Sequence, residues 1–172
     1  MATIFFYGHK KSRTVYNERV FSQFYEKIGK NNEPEVLFKD SEDTPYYCAE
    51  QYMMAGKARL FKDNETLKLI LMNKDPAKIK SLGRKVKNFN EQQWKDNREK
   101  IVEQGNFYKF SQNNDLKEIL LKTGKKELVE ASKYDAIWGI GMFYNDPNIK
   151  DKSKWGLNLL GNCLMKVRSK LN

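Results

Sequence analysis

The feature that most constrains the fold of this chain is the stretch between residues 128 and 141. An apolar pair, Leu128-Val129, is followed by Asp135 and then by Trp138-Gly139. Tryptophan is costly to leave in water, and glycine lets one backbone segment approach another closely. The stretch therefore predicts a buried strand that ends in a turn packed around the tryptophan. A carboxylate placed three residues before the tryptophan is also a candidate for site chemistry, and the segment alone does not separate the two interpretations.

The other elements are predicted from apolar spacing and from turn residues. Short strands are predicted at Ile4–Tyr7 and Glu35–Lys39. Helices are predicted over Pro45–Phe61 (with Thr44 as its cap), Glu65–Met72, Pro76–Leu82, Glu91–Gln112, Asp115–Leu121 and Gly156–Leu171. The last helix carries a core-facing stripe formed by Leu157, Leu160, Leu164, Val167 and Leu171. The outline is a mainly α fold with a small β-sheet (α+β), in one compact domain over residues 1–172.

The net charge of the chain limits the kinds of partner that it is expected to bind. An excess of 32 Lys and Arg over 22 Asp and Glu gives a net charge of +10, which favours phosphates, nucleotides or nucleic acid as partners. The lysines are scattered, however, and a lysine-rich surface also serves solubility alone. The aromatic content of 13% with only 4 prolines indicates a folded chain and not a disordered one.

Metal and membrane functions are not expected. Cys48 and Cys163 have neither the spacing nor the histidine neighbours of a zinc site, and the single histidine, His9, lies in a basic stretch. The apolar run Ile4–Tyr7 is too short for a signal peptide, and no segment approaches membrane-spanning length. We therefore expect a soluble, cytoplasmic protein that needs no metal and no cofactor and shows no sign of a specific protein partner.

The predicted helix from Pro45 to Phe61 places three candidate residues on one face. Glu50, Met54 and Lys57 are four and three residues apart, so they lie on one side of the helix. At 1.5 Å per residue, Glu50 and Lys57 are separated by roughly 10 Å along the axis, which lets both reach one cavity about as wide as a nucleotide sugar. A lysine on a partly buried face has a lowered pKa and becomes a usable amine nucleophile. The alternative is an amphipathic helix with two solvated charges, which the helix alone favours.

Further candidates lie outside that helix. Arg84 directly follows Gly83 at a predicted helix end, which suits it to grip a phosphate, although a capping glycine before a surface arginine gives the same pattern. Trp94 and Trp138 are candidates for stacking on a base or ribose, whereas core packing is the commoner fate of tryptophan. Asp135 is a candidate second carboxylate.

Taken together, these segments resemble the NADAR family, the YbiA-like N-glycosidases. The matching segments, in the family's order, are Phe21-Ser22-Gln23-Phe24-Tyr25, Ala49-Glu50-Gln51-Tyr52 with Ala55 and Lys57, Gly83-Arg84, Trp94 with Arg98, Lys109-Phe110 with Asn113, Leu128-Val129-Glu130 with Asp135 and Trp138-Gly139, and Asn158-Leu159-Leu160-Gly161 with Leu164-Met165 and Arg168. Each segment alone is a weak signal, but their joint order through most of the chain is specific. Gln51 and Gln23 depart from the pattern, because the family usually has His and Asn at these positions.

The resemblance implies a YbiA-like fold and hydrolysis of an N-glycosidic bond at a ribose. Some family members remove ADP-ribose from guanine in nucleic acid, and others cleave phosphoribosylated pyrimidine intermediates of riboflavin synthesis. By match to the family motifs, the catalytic residues are Glu50, Lys57 and Asp135, and Lys57 stands where a lysine is proposed to form a Schiff base with the sugar. The implied substrate-binding residues are Tyr7, Phe21, Ser22, Arg84, Trp94, Trp138, Gly139 and Asn158.

The expected function is cleavage of the bond between a nucleobase and a phosphorylated ribose, with ADP-ribosylated guanine in nucleic acid as the favoured substrate. The expected partner is therefore an ADP-ribosylated nucleic acid or an ADP-ribose-type nucleotide. The alternatives are a phosphoribosylated pyrimidine as substrate, a non-catalytic reader of ADP-ribose or nucleic acid, and a helical domain whose charges are all solvated.

Overall fold

The computed structural model describes residues 2–172, which form two compact units. The first, here called the terminal unit, combines the N-terminal residues up to Ser22 with residues 114–172. The second, the central unit, runs from Gln23 to Asn113.

The terminal unit is built on a pair of parallel strands that are distant in sequence. Strand β1, Thr3–Phe6, pairs with β6, Glu127–Glu130, so that Phe6 lies opposite Glu130. Helices α5 (Asn114–Lys122) and α6 (Leu159–Leu171) complete the unit, and α6 packs against β6. Ile4, Phe6, Leu128 and Val129 are buried, which places the core of the unit around this strand pair.

The central unit contains two small antiparallel ribbons and four helices. Strand β2 (Lys27–Ile28) pairs with β3 (Pro34–Glu35), and β4 (Phe38–Lys39) pairs with β5 (Pro45–Tyr46). The helices are α1 (Ala49–Leu60), α2 (Asn64–Met72), α3 (Pro76–Gly83) and α4 (Glu91–Ser111).

Helix α1 is the centre of this unit, because it packs against α2, α3 and α4. Two glycines bring α1 close to α4. A Cβ on Gly56 would lie 2.6 Å from the Ile101 side chain, and one on Gly105 would lie 2.6 Å from the Tyr52 ring. Neighbouring helices are therefore in direct contact along the length of α1, and its orientation is fixed.

The mainly α fold with minor β structure is confirmed, while several boundaries differ. In residues 2–172 the strands form three two-stranded sheets and not the single sheet that was expected. The predicted strand Glu35–Lys39 is divided between β3 and β4, because Glu35 pairs with β2 whereas Phe38 and Lys39 pair with β5. The expectation of a single domain over residues 1–172 stays a prediction.

Two predicted helix starts are wrong. Pro45 does not open a helix, because its backbone pairs with Lys39 in β5, and α1 begins only after Cys48. Likewise, α6 starts at Leu159 and not at Gly156, because Asn158 has a positive φ of 50°. Leu157 consequently lies outside the helix and is 55% exposed instead of belonging to the core stripe.

Within residues 2–172, every helix is too short or too polar to pass through a lipid bilayer.

Candidate active site

In the central unit, α1 carries Glu50 and Lys57 as the sequence predicts. Glu50 lies in the first turn of the helix, where a negative charge is favoured by the helix dipole, and it is 6% exposed. Its backbone N–H donates to the Gln23 carbonyl at 2.9 Å, which fixes the start of the helix. Lys57 lies two turns further on and is half-buried. The amphipathic alternative, with both charges fully solvated, does not describe this helix.

The environment of Lys57 favours a neutral amine more than water does. Burial lowers the pKa of the Lys57 ammonium from its ordinary value, the negative charge of Glu50 opposes that change, and the positive charge of Arg84 adds to it. The ammonium also lies over two aromatic rings, 4.8 Å from the centroid of Phe89 and 5.6 Å from that of Trp94. An amine in this setting is a candidate nucleophile.

Arg84 follows the C-terminus of α3, and Gly83 brings that terminus close to α1. A Cβ on Gly83 would lie 1.8 Å from the sulfur of Met54, so a larger residue would require the Met54 side chain to move. Met54 shares its helix face with Glu50 and Lys57, which explains why the charge of Arg84 acts on Lys57. Arg84 itself is exposed and thus accessible to a phosphate.

Trp94 lies in the first turn of α4 and is 8% exposed. Its ring packs in the central unit, 5.6 Å from the Lys57 ammonium, so core packing describes it, and its predicted stacking on a base or ribose stays a prediction. The central unit therefore brings together four of the predicted site residues: Glu50, Lys57, Arg84 and Trp94.

The two glutamines that depart from the family pattern make internal hydrogen bonds. The Gln51 side chain is fully buried, accepts from the Tyr47 N–H at 2.7 Å and donates to the carbonyls of Ile70 (3.1 Å) and Asn73 (2.8 Å). It thus ties α1 to the end of α2. Gln23 accepts a 2.8 Å hydrogen bond from the Asn106 side chain.

In the terminal unit, Asp135 organises the turn that precedes Trp138. One oxygen, Oδ1, accepts hydrogen bonds from the backbone N–H groups of Ile137 at 2.9 Å and Trp138 at 2.8 Å. The carbonyls of residues 137 and 138 in turn accept from the N–H groups of Leu159 and Leu160 at 3.1 Å each. The turn therefore caps the N-terminus of α6, which holds the half-buried Trp138 in place.

Gly139 is required by close packing. A Cβ at this position would lie 2.7 Å from the Glu130 carbonyl oxygen and 2.9 Å from that of Asp135. Both neighbours are backbone atoms and cannot move without shifting the turn. Gly139 thus allows the Asp135–Trp138 turn to lie directly against the end of β6.

Asn158 joins three elements through its side chain and backbone. The side chain accepts from the Glu130 N–H at 3.0 Å and donates to the Leu128 carbonyl at 2.9 Å, and its N–H donates to the Gly139 carbonyl at 3.1 Å. Asn158 is 6% exposed. The structure gives it an architectural role, and its predicted contact with substrate stays a prediction.

The remaining predicted binding residues lie near the other strand of the terminal unit. Tyr7 follows β1 and is exposed, with its ring edge-on to Phe143 at 5.2 Å. Phe21 is fully buried and contacts Phe6 at 5.6 Å, and Ser22 is buried at the end of a 3-10 turn. Their roles in substrate binding also stay predictions.

Two further residues of the central unit were not predicted as candidates. Phe89, which contacts Lys57, lies in the polar segment Asn88-Phe89-Asn90, where no periodicity signals it. Lys109 is fully buried in α4, with its ammonium 5.2 Å from the Tyr25 ring, and burial lowers its pKa to about 7. The Lys109-Phe110 motif was visible in the sequence, but nothing local showed that the lysine is buried.

A half-buried lysine beside a carboxylate on α1, in a mainly α fold, can be compared with known proteins. Residues 5–172 match the model of the NADAR domain. The chain therefore belongs to the NADAR family, which confirms the predicted resemblance.

Individual relatives add detail. An N-glycosidase of Acanthamoeba polyphaga mimivirus is 44% identical over 170 residues, which cover 96% of this chain and 94% of the relative. A riboflavin biosynthesis protein of Vibrio vulnificus is 34% identical over 128 residues, covering 74% of this chain but 31% of that protein. The NMR structure of the E. coli protein YbiA superimposes with a TM-score of 0.74 at 25% identity, over 99% of this chain and 84% of YbiA. The YbiA fold is thus confirmed, and the relatives support an N-glycosidase activity.

Proposed function

We propose that this protein removes ADP-ribose from guanine in nucleic acid by hydrolysing the bond between the base and the ribose. The observation that carries the proposal is the Lys57 amine, half-buried on the same face of α1 as Glu50, with its pKa lowered by burial. An N-glycosidase relative at 44% identity supports the reaction type.

The proposed reaction uses Lys57 as a covalent nucleophile. The neutral amine attacks C1 of the ribose, and the bond from C1 to the base nitrogen breaks with its electron pair leaving on the base, which takes up a proton. Opening of the sugar ring transfers a proton from the attacking nitrogen to the ring oxygen and leaves an imine. Water then adds to the imine, which releases the sugar and restores the lysine.

Glu50 and Asp135 are the proposed carboxylates. Bond cleavage at C1 passes through a state in which positive charge develops on the sugar, and a nearby carboxylate stabilises that charge. Glu50 suits this role because its charge already acts on the Lys57 ammonium. Asp135 uses only Oδ1 to hold its turn, so we assign its other oxygen to proton transfer with the leaving base.

The remaining proposed roles concern binding. Arg84 is exposed and contributes a planar pair of donors for the phosphates of ADP-ribose. Trp94 and Trp138 provide flat apolar faces for the sugar or the base. The residues Tyr7, Phe21, Ser22, Gly139 and Asn158 complete the proposed binding set, the last two through the backbone geometry that they maintain.

A phosphoribosylated pyrimidine is the second candidate substrate, because one relative is a riboflavin biosynthesis protein. The net charge of +10 favours the nucleic acid. A non-catalytic reader is the third possibility, but a binding module has no need for a lysine amine with a lowered pKa between a carboxylate and an arginine.

The test is to incubate the protein with an oligonucleotide that carries ADP-ribosylated guanine and to follow released ADP-ribose by mass spectrometry. We expect release by the wild type, and none by Lys57→Met, with Lys62→Met as the matched control from an exposed lysine. Affinity for the oligonucleotide should fall steeply with salt concentration. Cleavage of a phosphoribosylated pyrimidine but not of the oligonucleotide would favour the second candidate substrate. Binding to the modified oligonucleotide without cleavage of either substrate would favour the reader.

A further inference from the structure

The terminal unit exposes a cluster of aromatic and cationic side chains. We call it the aromatic-basic patch, and its members are Tyr7, Arg13, Lys133, Tyr134, Phe143 and Tyr144. Tyr134 is 75% exposed, Tyr144 48% and Tyr7 37%. Single exposed aromatic residues are ordinary, but a group of them in mutual contact marks an interaction site.

The rings are arranged around Phe143. Tyr7 contacts it edge-on at 5.2 Å, and Tyr134 contacts it edge-on at 5.7 Å. The Lys133 ammonium lies 5.2 Å from the Tyr134 centroid and 5.4 Å from that of Phe143. Tyr134, the most exposed aromatic side chain of the patch, keeps most of its surface in contact with the solvent beside these contacts.

Arg13 forms the second cationic centre of the patch, and its backbone is fixed. Its guanidinium lies 4.0 Å from the centroid of the Tyr144 ring and donates to the Phe5 carbonyl at 3.1 Å. Its backbone N–H donates to the carboxylate of Glu18, which is 1% exposed and also accepts from the Thr14 hydroxyl at 2.8 Å. Burial opposes ionisation of Glu18, but these hydrogen bonds outweigh it and lower its pKa, so the carboxylate stays charged and holds the segment.

Among residues 2–172, neither Lys133 nor Arg13 forms a salt bridge. Aromatic faces interleaved with free cations match the chemistry of single-stranded nucleic acid, whose unpaired bases stack on rings while its phosphates meet lysine and arginine. A duplex keeps its base faces stacked inside and uses only the charges.

We propose that the aromatic-basic patch binds single-stranded nucleic acid, with bases on Tyr134 and Tyr7 and phosphates at Lys133 and Arg13. This inference rests on the proposed function, in that Tyr134 directly precedes Asp135, so the patch holds nucleotides next to the modified guanine. It adds to that function a preference for unpaired strands over duplexes.

Fluorescence anisotropy with an unmodified labelled oligonucleotide, single-stranded or annealed, tests the binding itself. We expect the single strand to bind more tightly than the duplex, and Tyr134→Ala to weaken single-strand binding about tenfold. Lys133→Ala should reduce the slope of log affinity against log salt by about 0.7, since one phosphate contact is lost. Lys74→Ala, from a lysine 4.8 Å over the Tyr47 ring, and Leu69→Ala, from an exposed leucine, are the matched controls. Melting temperatures confirm that each variant is folded.

The patch is refuted if both variants bind as the wild type does, or if the duplex binds as tightly as the single strand. Failure of the proposed function has a different signature, which is measured on ADP-ribosylated guanosine as a free nucleoside. We expect Tyr134→Ala to cleave the nucleoside at the wild-type rate and the modified oligonucleotide more slowly. If the wild type binds single strands through the patch but cleaves neither substrate, the proposed function is refuted and the proposed patch is supported.

Discussion

Asn158 offers the sharpest test of how the Asp135 turn is held, because its side chain bonds to two backbone groups at the edge of β6 that faces away from β1. The N–H groups of Glu127 and Ala131 point to β1, so the alternate residues Leu128 and Glu130 face the opposite edge. There the Asn158 amide donates to the Leu128 carbonyl at 2.9 Å and accepts from the Glu130 N–H at 3.0 Å. Removal of the side chain leaves both groups without these partners.

The size of the effect follows from these two bonds. Each buried group left unsatisfied costs about 1–3 kcal/mol, so Asn158→Gly, which leaves two of them, should lower the free energy of unfolding by about 2–6 kcal/mol. Asn158 also has a φ of 50°. Asn158→Ala should therefore lose roughly 1 kcal/mol more than the glycine variant, because alanine is strained in the left-handed region.

Equilibrium urea unfolding measures both differences. The control is Asn162→Ala, because Asn162 is exposed and its side chain makes a single 3.3 Å hydrogen bond to the Leu157 carbonyl. We expect the control to change stability by less than about 0.5 kcal/mol. If Asn158→Gly is no more destabilising than Asn162→Ala, the two hydrogen bonds do not hold the turn.

Three further predictions concern charge. Asp135→Asn keeps the oxygen that accepts the two turn hydrogen bonds but loses the negative charge, so it should be as stable as the wild type and lose glycosidase activity. Asp135→Ala should lose both stability and activity. An active Asp135→Asn variant would show that Asp135 only shapes the turn. Arg84→Gln removes a positive charge that lowers the pKa of Lys57, so that pKa should rise, and the rate at which borohydride traps an imine between Lys57 and a simple aldehyde should shift to higher pH; an unchanged profile would contradict the coupling. Burial lowers the pKa of Lys109 to about 7 in the folded protein, whereas the unfolded chain keeps the ordinary value of 10.5. Between these two pH values the unfolded state binds one proton more than the folded state. The free energy of unfolding should therefore rise with pH from 7 to 9, by at most about 1.4 kcal/mol per pH unit. Lys109→Met should flatten this rise, and an equal slope in that variant would exclude Lys109 as its source.

The parts of the fold that local sequence predicts are those with their own capping signals. Helices α2, α3 and α4 begin next to Asp63, Asp75 and Asn90, whose side chains accept from backbone N–H groups two or three residues later. The start of α1 could not be predicted in this way, because Pro45 satisfies the local rule for a helix start while its backbone is paired with a strand six residues earlier.

The candidate site also has one part that local sequence predicts and one part that it does not. The seven-residue spacing of Glu50 and Lys57 predicts their shared helix face, and that part of the site follows from the sequence. Phe89 beside Lys57, and the bonds from Asn158 to residues about 30 positions away, depend on contacts between distant segments and have no local signal.

The most direct test of the central claim is to react the protein with an oligonucleotide carrying ADP-ribosylated guanine in the presence of borohydride. Borohydride reduces an imine to a stable amine, so peptide mapping by mass spectrometry locates the sugar. We predict unmodified guanine in the oligonucleotide and ADP-ribose attached to Lys57, with no adduct in Lys57→Met. Release of ADP-ribose with no adduct at Lys57, or full turnover by Lys57→Met, would contradict it.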